Sequence, residues 1–149
     1  MSKIIRSRKA NKYNAVVTIE GKGGHMRSPC PGCPWKRANA GNFPAEAFRL
    51  SADTASDASF KLFACHTAGI EHQMTCAGFL LSVTAIDNVA VRIMLSRGGR
   101  LDVTGGEDEL FPTYKQMAMA NGCKADDPKL AACMPEARQT LRELRRSKR

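Results

Sequence analysis

The stretch SPCPGCPWKR, residues 28–37, carries two cysteines, three prolines, a glycine and a tryptophan within ten positions. Proline lacks a backbone N–H and fixes φ, so this composition disfavours a helix. Two thiolates at Cys-x-x-Cys spacing can reach one ion from a single turn, which the prolines pre-organise and in which Gly32 permits a positive φ. A loop rich in proline and glycine offers little core for a thiol to fill. We therefore interpret Cys30 and Cys33 as half of a metal site.

Two further cysteines in separate segments, Cys65 and Cys76, would complete four sulfur ligands. Considered singly, Cys65 and Cys76 would each also fit the interpretation of a buried thiol that only fills the core. His66 or His72 could replace one of the four. Zinc is the favoured metal because its ligand pairs are often split between distant segments, and a [4Fe–4S] cluster is the alternative.

Other residues near these cysteines take secondary roles. Trp35 is expected to pack over the site, and Lys36 and Arg37 are expected to offset the negative charge of the thiolates. Cys123 and Cys133 stand apart from the group, and we interpret them as ordinary buried or free thiols.

The sequence carries no positive sign of an enzyme. A redox Cys-x-x-Cys normally opens a helix in a thioredoxin-like βαβ unit, and the proline after each cysteine argues against that unit. The three adjacent acids at 107–109 more simply form a solvated loop than a catalytic carboxylate pair. A pocket around His66 and His72 is a weaker possibility, because each histidine is more simply a packed or supporting residue. No small-molecule substrate is evident.

The pattern of apolar residues predicts a small, mostly helical α+β domain with a short β component, organised around the split cysteine site. The strands are expected within 16–19 and 60–66. The helices are expected at about 44–54, 76–84, 87–98 and 112–122, and a last one begins at Pro135. For 87–98 the apolar run also fits a buried strand, although Asp87 or Asn88 could cap a helix there and Gly98 could end it.

The length of 149 residues suits one domain. The distribution of charged residues divides this chain into three parts. Residues 1–27 form a basic N-terminal arm with a short strand, 28–134 the metal-binding core, and 135–149 a basic C-terminal helix. The arm carries a net charge of +6, residues 28–135 carry −1 and residues 136–149 carry +4. Basic ends of this kind typically bind nucleic acid or an acidic face of a host protein, and solubility is the alternative explanation. The expected contacts are Arg6, Arg8, Lys9, Lys12, Arg138, Arg142, Arg145 and Arg149.

No apolar run is long enough to span a membrane, and the N-terminus lacks the apolar centre of a signal peptide. We therefore expect a cytoplasmic protein, in which the six cysteines are thiols or metal ligands rather than disulfides.

Several blocks in this order resemble a family of small uncharacterised phage and bacterial proteins that is known only as a domain of unknown function. The blocks are PCPGCPWKR, GNFPAEAFRL, FACH, CAGFLL, NVAVRIMLSRG and QMAMANG. The resemblance covers about residues 28–122, and its hallmark is P-C-x-x-C-P-W-[RK], F-P-x-x-x-F, F-A-C-H and C-A-G. It implies as signature positions Cys30, Cys33, Trp35, Cys65, His66 and Cys76.

These observations together predict a non-enzymatic, metal-stabilised accessory or regulatory protein of phage type. It would act in the cytoplasm of a bacterial host, on nucleic acid or a host protein, in transcription regulation or counter-defence. The alternative is an iron–sulfur redox or sensor protein, acting alone or as an enzyme accessory.

Overall fold

The computed structural model describes residues 2–12, 15–21, 24–56, 59–65, 73–98 and 102–133. The strands of its antiparallel sheet, in the order β1-β2-β3, are β1 Ser2–Lys9, β2 Ala15–Gly21 and β3 Leu62–Phe63. The α-helices in these ranges are α1 Ala45–Ser51, α2 Ala77–Leu81, α3 Val89–Ser96 and α4 Tyr114–Ala120. Short 3-10 turns span Arg37–Asn39, Ala52–Thr54, Val83–Asp87 and Pro128–Leu130. The predicted α+β class is confirmed, whereas the predicted last helix lies outside the described residues.

The N-terminal arm differs from the expectation of one short strand. Residues 2–9 form β1, which pairs along its whole length with β2, and Ile19 of β2 is fully buried in the core. The sequence analysis did not predict this strand because four of its eight residues are lysine or arginine. Strand formation depends on the pairing partner more than on intrinsic preference. Two strands of the arm therefore belong to the same sheet as β3.

The helix ends expected around 87–98 are confirmed. The Asn88 side-chain oxygen accepts hydrogen bonds from the backbone N–H groups of Ala90 and Val91, which caps the start of α3. Gly98 follows the helix with a φ of 82°, in the left-handed region that glycine favours. The segment is therefore a helix and not the buried strand that its apolar run also allowed.

The helix expected over 76–84 is shorter than predicted. α2 ends at Leu81, and Ser82 is extended before a 3-10 turn begins. The Ser82 hydroxyl donates to the Phe79 carbonyl, and the Val83 N–H donates to Pro112 across the core. These hydrogen bonds replace the next helical turn and direct the chain toward α3.

Aromatic rings fill the centre of the core. Trp35 and Tyr114 are fully buried, with ring centroids 6.0 Å apart, and Trp35 also contacts Phe63 edge-on at 5.8 Å. The Tyr114 hydroxyl donates to the Phe48 carbonyl at 2.6 Å, which ties α4 to α1. The ring of Trp35 therefore links the turn at 28–37 to the sheet and to α4.

None of the helices in the described ranges is long and apolar enough to cross a membrane.

Candidate metal centre

The turn that carries Cys30 and Cys33 is fixed by local hydrogen bonds. The Cys33 N–H donates to the Cys30 carbonyl at 3.0 Å, and the Lys36 N–H donates to the Cys33 carbonyl at 3.1 Å. The Asn39 side-chain amide donates to the carbonyls of Cys33 and Pro31 at 2.9 and 3.0 Å. Both cysteines are buried, although they lie in a loop. These hydrogen bonds therefore fix the backbone between the two cysteines.

The second pair lies on a short antiparallel ribbon. The Cys65 N–H donates to Met74 and the Cys76 N–H donates to Phe63, both at 2.8 Å. Cys65 thus lies opposite Met74, and Cys76 is its diagonal neighbour across the ribbon. Because side chains alternate along a strand, Cys65 and Cys76 share one side of this ribbon.

The two halves of the predicted site meet through Cys33 and Cys76. Their Sγ atoms lie 3.6 Å apart, and Cys33 is fully buried. Two thiolates on one tetrahedral zinc ion, with bonds of about 2.3 Å, lie about 3.8 Å apart. A disulfide needs about 2.05 Å, and all six cysteines are free thiols. This contact has the spacing of two ligands on a single ion.

Electrostatics distinguishes the two thiols of this contact. The pKa of Cys33 is lowered, chiefly because it accepts a hydrogen bond from Cys76, and burial opposes this effect only in part. The backbone N–H groups of Trp35 and Lys36 and the positive charge of Lys36 lower the pKa further. The pKa of Cys76 is raised well above its usual value by the hydrogen bond to Cys33, by burial and by the charges of Cys33 and Cys65. Of the two thiols, Cys33 therefore loses its proton more readily than Cys76.

A glycine in α2 allows the two halves to approach so closely. A Cβ atom on Gly78 would lie 2.6 Å from the Trp35 Cβ and 3.0 Å from the Cys33 Sγ. Any side chain at this position would push α2, and with it Cys76, away from the turn. The sequence interpretation missed Gly78, although a glycine inside a helix is itself a signal of close packing.

The positively charged residues after the turn have different partners. The Lys36 ammonium lies 3.2 Å from the Asp108 carboxylate and acts on Cys33 as described above. Arg37 lies over the Phe111 ring, 5.0 Å from its centroid. The backbone of this loop also joins the turn, since the Phe111 N–H donates to the Trp35 carbonyl at 2.9 Å. The acidic loop, expected to be only solvated, therefore also fixes the turn.

Not every predicted ligand is brought together. Within the described ranges, no three side chains among the histidines, cysteines, aspartates and glutamates are close enough to hold one ion. Cys30 lies one turn before Cys33, and Cys65 lies diagonally from Cys76. His66 and His72 lie outside the described residues.

Cys123 and Cys133 lie elsewhere, beside α1 and the turn that follows it. The Cys123 thiol donates to the Ala45 carbonyl, and the Cys133 thiol donates to the Ala52 carbonyl. Burial raises the pKa of both thiols, to about 11 for Cys133.

The residues of the N-terminal arm that were predicted to contact a partner differ in their surroundings. The Arg6 guanidinium pairs with Asp53, and the Arg8 guanidinium donates to the Leu50 carbonyl at 2.7 Å. Partner binding through either arginine would have to break these contacts. Lys9 and Lys12 are exposed. The C-terminal contacts lie outside the described residues: Arg138, Arg142, Arg145 and Arg149.

Comparison with known proteins places the chain in a family. No curated protein and no solved structure is significantly similar to it. Residues 25–134 match a family of unknown function, DUF6283, and this range contains the turn, the ribbon, α2 and the acidic loop. Because the match covers most of the chain, the protein belongs to the DUF6283 family.

Proposed function

We propose that this protein is a non-enzymatic accessory or regulatory protein of phage type in which a structural metal ion joins the turn 28–37 to the ribbon at 65–76. Zinc is the proposed metal, and its ligands are Cys30, Cys33, Cys65 and Cys76. Because the ligand pairs come from distant segments, binding the ion and closing the fold are one coupled event.

The contact between Cys33 and Cys76 carries this proposal. Their 3.6 Å separation suits two ligands of one ion. Cys30 and Cys65 are buried as well: Cys30 lies in the same hydrogen-bonded turn as Cys33, and Cys65 lies on the same ribbon as Cys76. Lys36 supplies the nearby positive charge that a four-thiolate site with a net charge of about −2 requires.

The contact also bears on the choice of metal. In a [4Fe–4S] cluster each thiolate binds its own iron atom, so the ligating sulfurs are spread further apart than two sulfurs on one ion. The short Cys33–Cys76 distance therefore favours a single ion over the iron–sulfur redox or sensor protein that the sequence also allows.

Elemental analysis and a visible spectrum of anaerobically purified protein test the metal. We expect colourless protein with one zinc per chain. Brown protein with acid-labile sulfide would replace this proposal with the iron–sulfur alternative, and protein that contains no metal after purification without chelator would contradict both.

The partner in this proposal is nucleic acid or an acidic host protein in the bacterial cytoplasm, bound for transcription regulation or counter-defence. Support comes from the net charge of +9, which is concentrated at the two ends of the chain. If the partner is nucleic acid, affinity should fall steeply with salt. Titration of labelled duplex DNA and of RNA between low and physiological salt tests this, and absence of binding to both leaves the host protein.

A further inference from the structure

The outward side of α3 carries both apolar and basic side chains and is largely exposed among the described residues. Val91 faces the core, whereas Ile93, on the opposite side of the helix, is 46% exposed. The 3.6-residue period places five residues on this outward side, which we call the α3 outer face. They are Val89, Arg92, Ile93, Ser96 and Arg97.

A large exposed aromatic ring lies next to the first turn of α3. Phe60 is 53% exposed, and the carbonyl of its neighbour Ser59 accepts a hydrogen bond from the Val89 N–H at 2.7 Å. The Asn88 side-chain amide donates to the Lys61 carbonyl at 2.7 Å. These two hydrogen bonds join the start of α3 to the backbone on either side of Phe60, so Phe60 lies beside the start of this face.

This surface is also positively charged. Arg92 and Arg97 are exposed at either side of Ile93, and residues 88–98 contain no acid. Among the described residues, neither arginine forms an ion pair with an acidic side chain. The surface thus combines apolar side chains with exposed arginines, and aromatic residues and arginine are enriched at protein interfaces.

We propose that the α3 outer face, together with Phe60, docks a segment of a partner protein that carries both acidic and apolar side chains. This inference rests on one part of the proposed function, namely that the protein binds a macromolecular partner. It adds the surface that binds and the kind of partner. Two arginines are few for a nucleic acid, whose binding generally uses several phosphate contacts, and the aliphatic Val89–Ile93 ridge gains nothing from phosphate. The C-terminal segment of this chain is disfavoured as the occupant, because residues 136–149 carry +4 and the surface is itself basic.

The test is a selection from a random 16-residue peptide display library against the full-length protein, whose metal content is measured first. Affinities of the enriched peptides are then measured by fluorescence anisotropy for the wild type and for Ile93→Ser, Arg92→Glu and Arg97→Glu. Matched controls on another exposed region are Met119→Ser, which also removes a half-exposed apolar side chain, and Lys124→Glu.

We expect the enriched peptides to be acidic with apolar residues at helical spacing. Each α3 variant should weaken their binding at least tenfold, and the controls should leave it within twofold. Enriched peptides without net negative charge, or equal binding by the α3 variants, would overturn the proposal. Displacement of the peptides by a 20-base-pair duplex that loses affinity with Arg92→Glu would assign the surface to nucleic acid instead.

The outcome is separable from that of the metal centre. Wild-type protein that contains no metal but still selects acidic peptides through Ile93 upholds this inference and overturns only the proposed ion. Protein that holds zinc but selects no peptide, or whose peptides bind elsewhere, overturns this inference and leaves the metal centre unaffected.

Discussion

Replacing Gly78 with alanine tests whether α2 and the cysteine turn are packed as closely as the structure indicates. The new methyl group would lie 2.6 Å from the Trp35 Cβ and 3.0 Å from the Cys33 Sγ. Both neighbours are fully buried, so neither has free space to move into. Overpacking of this kind costs about 1–3 kcal/mol. Alanine is preferred over glycine in a helix by about 0.5–1 kcal/mol, which offsets part of that cost.

Taking the middle of the overpacking range, about 2 kcal/mol, and subtracting the helix preference leaves an expected loss of about 1–1.5 kcal/mol in the free energy of unfolding. This corresponds to a fall in Tm of about 2–6 °C for a chain of this length. Thermal unfolding followed by circular dichroism measures it, and Gly24→Ala is the matched control. Its Cβ would meet only the mobile end of Met74, at 3.3 Å, so we expect a change within about 0.5 kcal/mol. A Gly78→Ala protein as stable as the wild type, or more stable, would refute the close packing.

Three further substitutions test contacts away from the cysteines. Burial acts to raise the pKa of Asp53, but the hydrogen bonds and positive charges of Arg6 and Lys61 outweigh it and lower the pKa from its usual value. Asp53→Asn should therefore cost about 1–2 kcal/mol at pH 7. The deficit should shrink in urea unfolding as the pH falls from about 4, the pKa of an unfolded carboxyl group, through the lowered pKa of the folded state. A deficit that stays constant down to about pH 2 would contradict this pairing. Tyr114→Phe removes the hydrogen bond to the Phe48 carbonyl and should lower stability by about 1–3 kcal/mol, so an unchanged denaturation midpoint would contradict it. Asn88→Ala removes the cap of α3 and should cost about 1–2 kcal/mol, with faster amide exchange in that helix; exchange as slow as in the wild type would argue against the cap.

Local chemistry made much of the helical structure predictable. Asn88 and Gly98 mark the ends of α3 because their side-chain and backbone preferences act within a few residues, and Gly122, with a φ of 100°, does the same after α4. The two-residue strand within FKLFACH was expected from its alternation, and it is present as β3. Such signals need no knowledge of distant parts of the chain.

Features that depend on distant partners were not predictable in this way. β1 is a strand because β2 lies beside it, and because Arg6 and Arg8 find acceptors at Asp53 and Leu50, some 40 residues away. The sequence spacing indicated Cys33 and Cys76 as candidate ligands, but it could not show that they are in contact. That contact depends on Gly78 and on the burial of Trp35, both properties of the folded chain.

The most direct test of the metal centre is the visible spectrum of the protein titrated with Co²⁺ after removal of bound metal under reducing conditions. Cobalt in a tetrahedral thiolate site gives intense ligand-field and charge-transfer bands whose strength rises with the number of thiolates. We expect saturation at one cobalt per chain with a four-thiolate spectrum, reduced band intensity in Cys30→Ser and Cys65→Ser, and an unchanged spectrum in Cys123→Ser. A titration that yields only the weak bands of octahedral cobalt, or spectra that Cys30→Ser and Cys65→Ser leave unchanged, would contradict the proposed four-cysteine site.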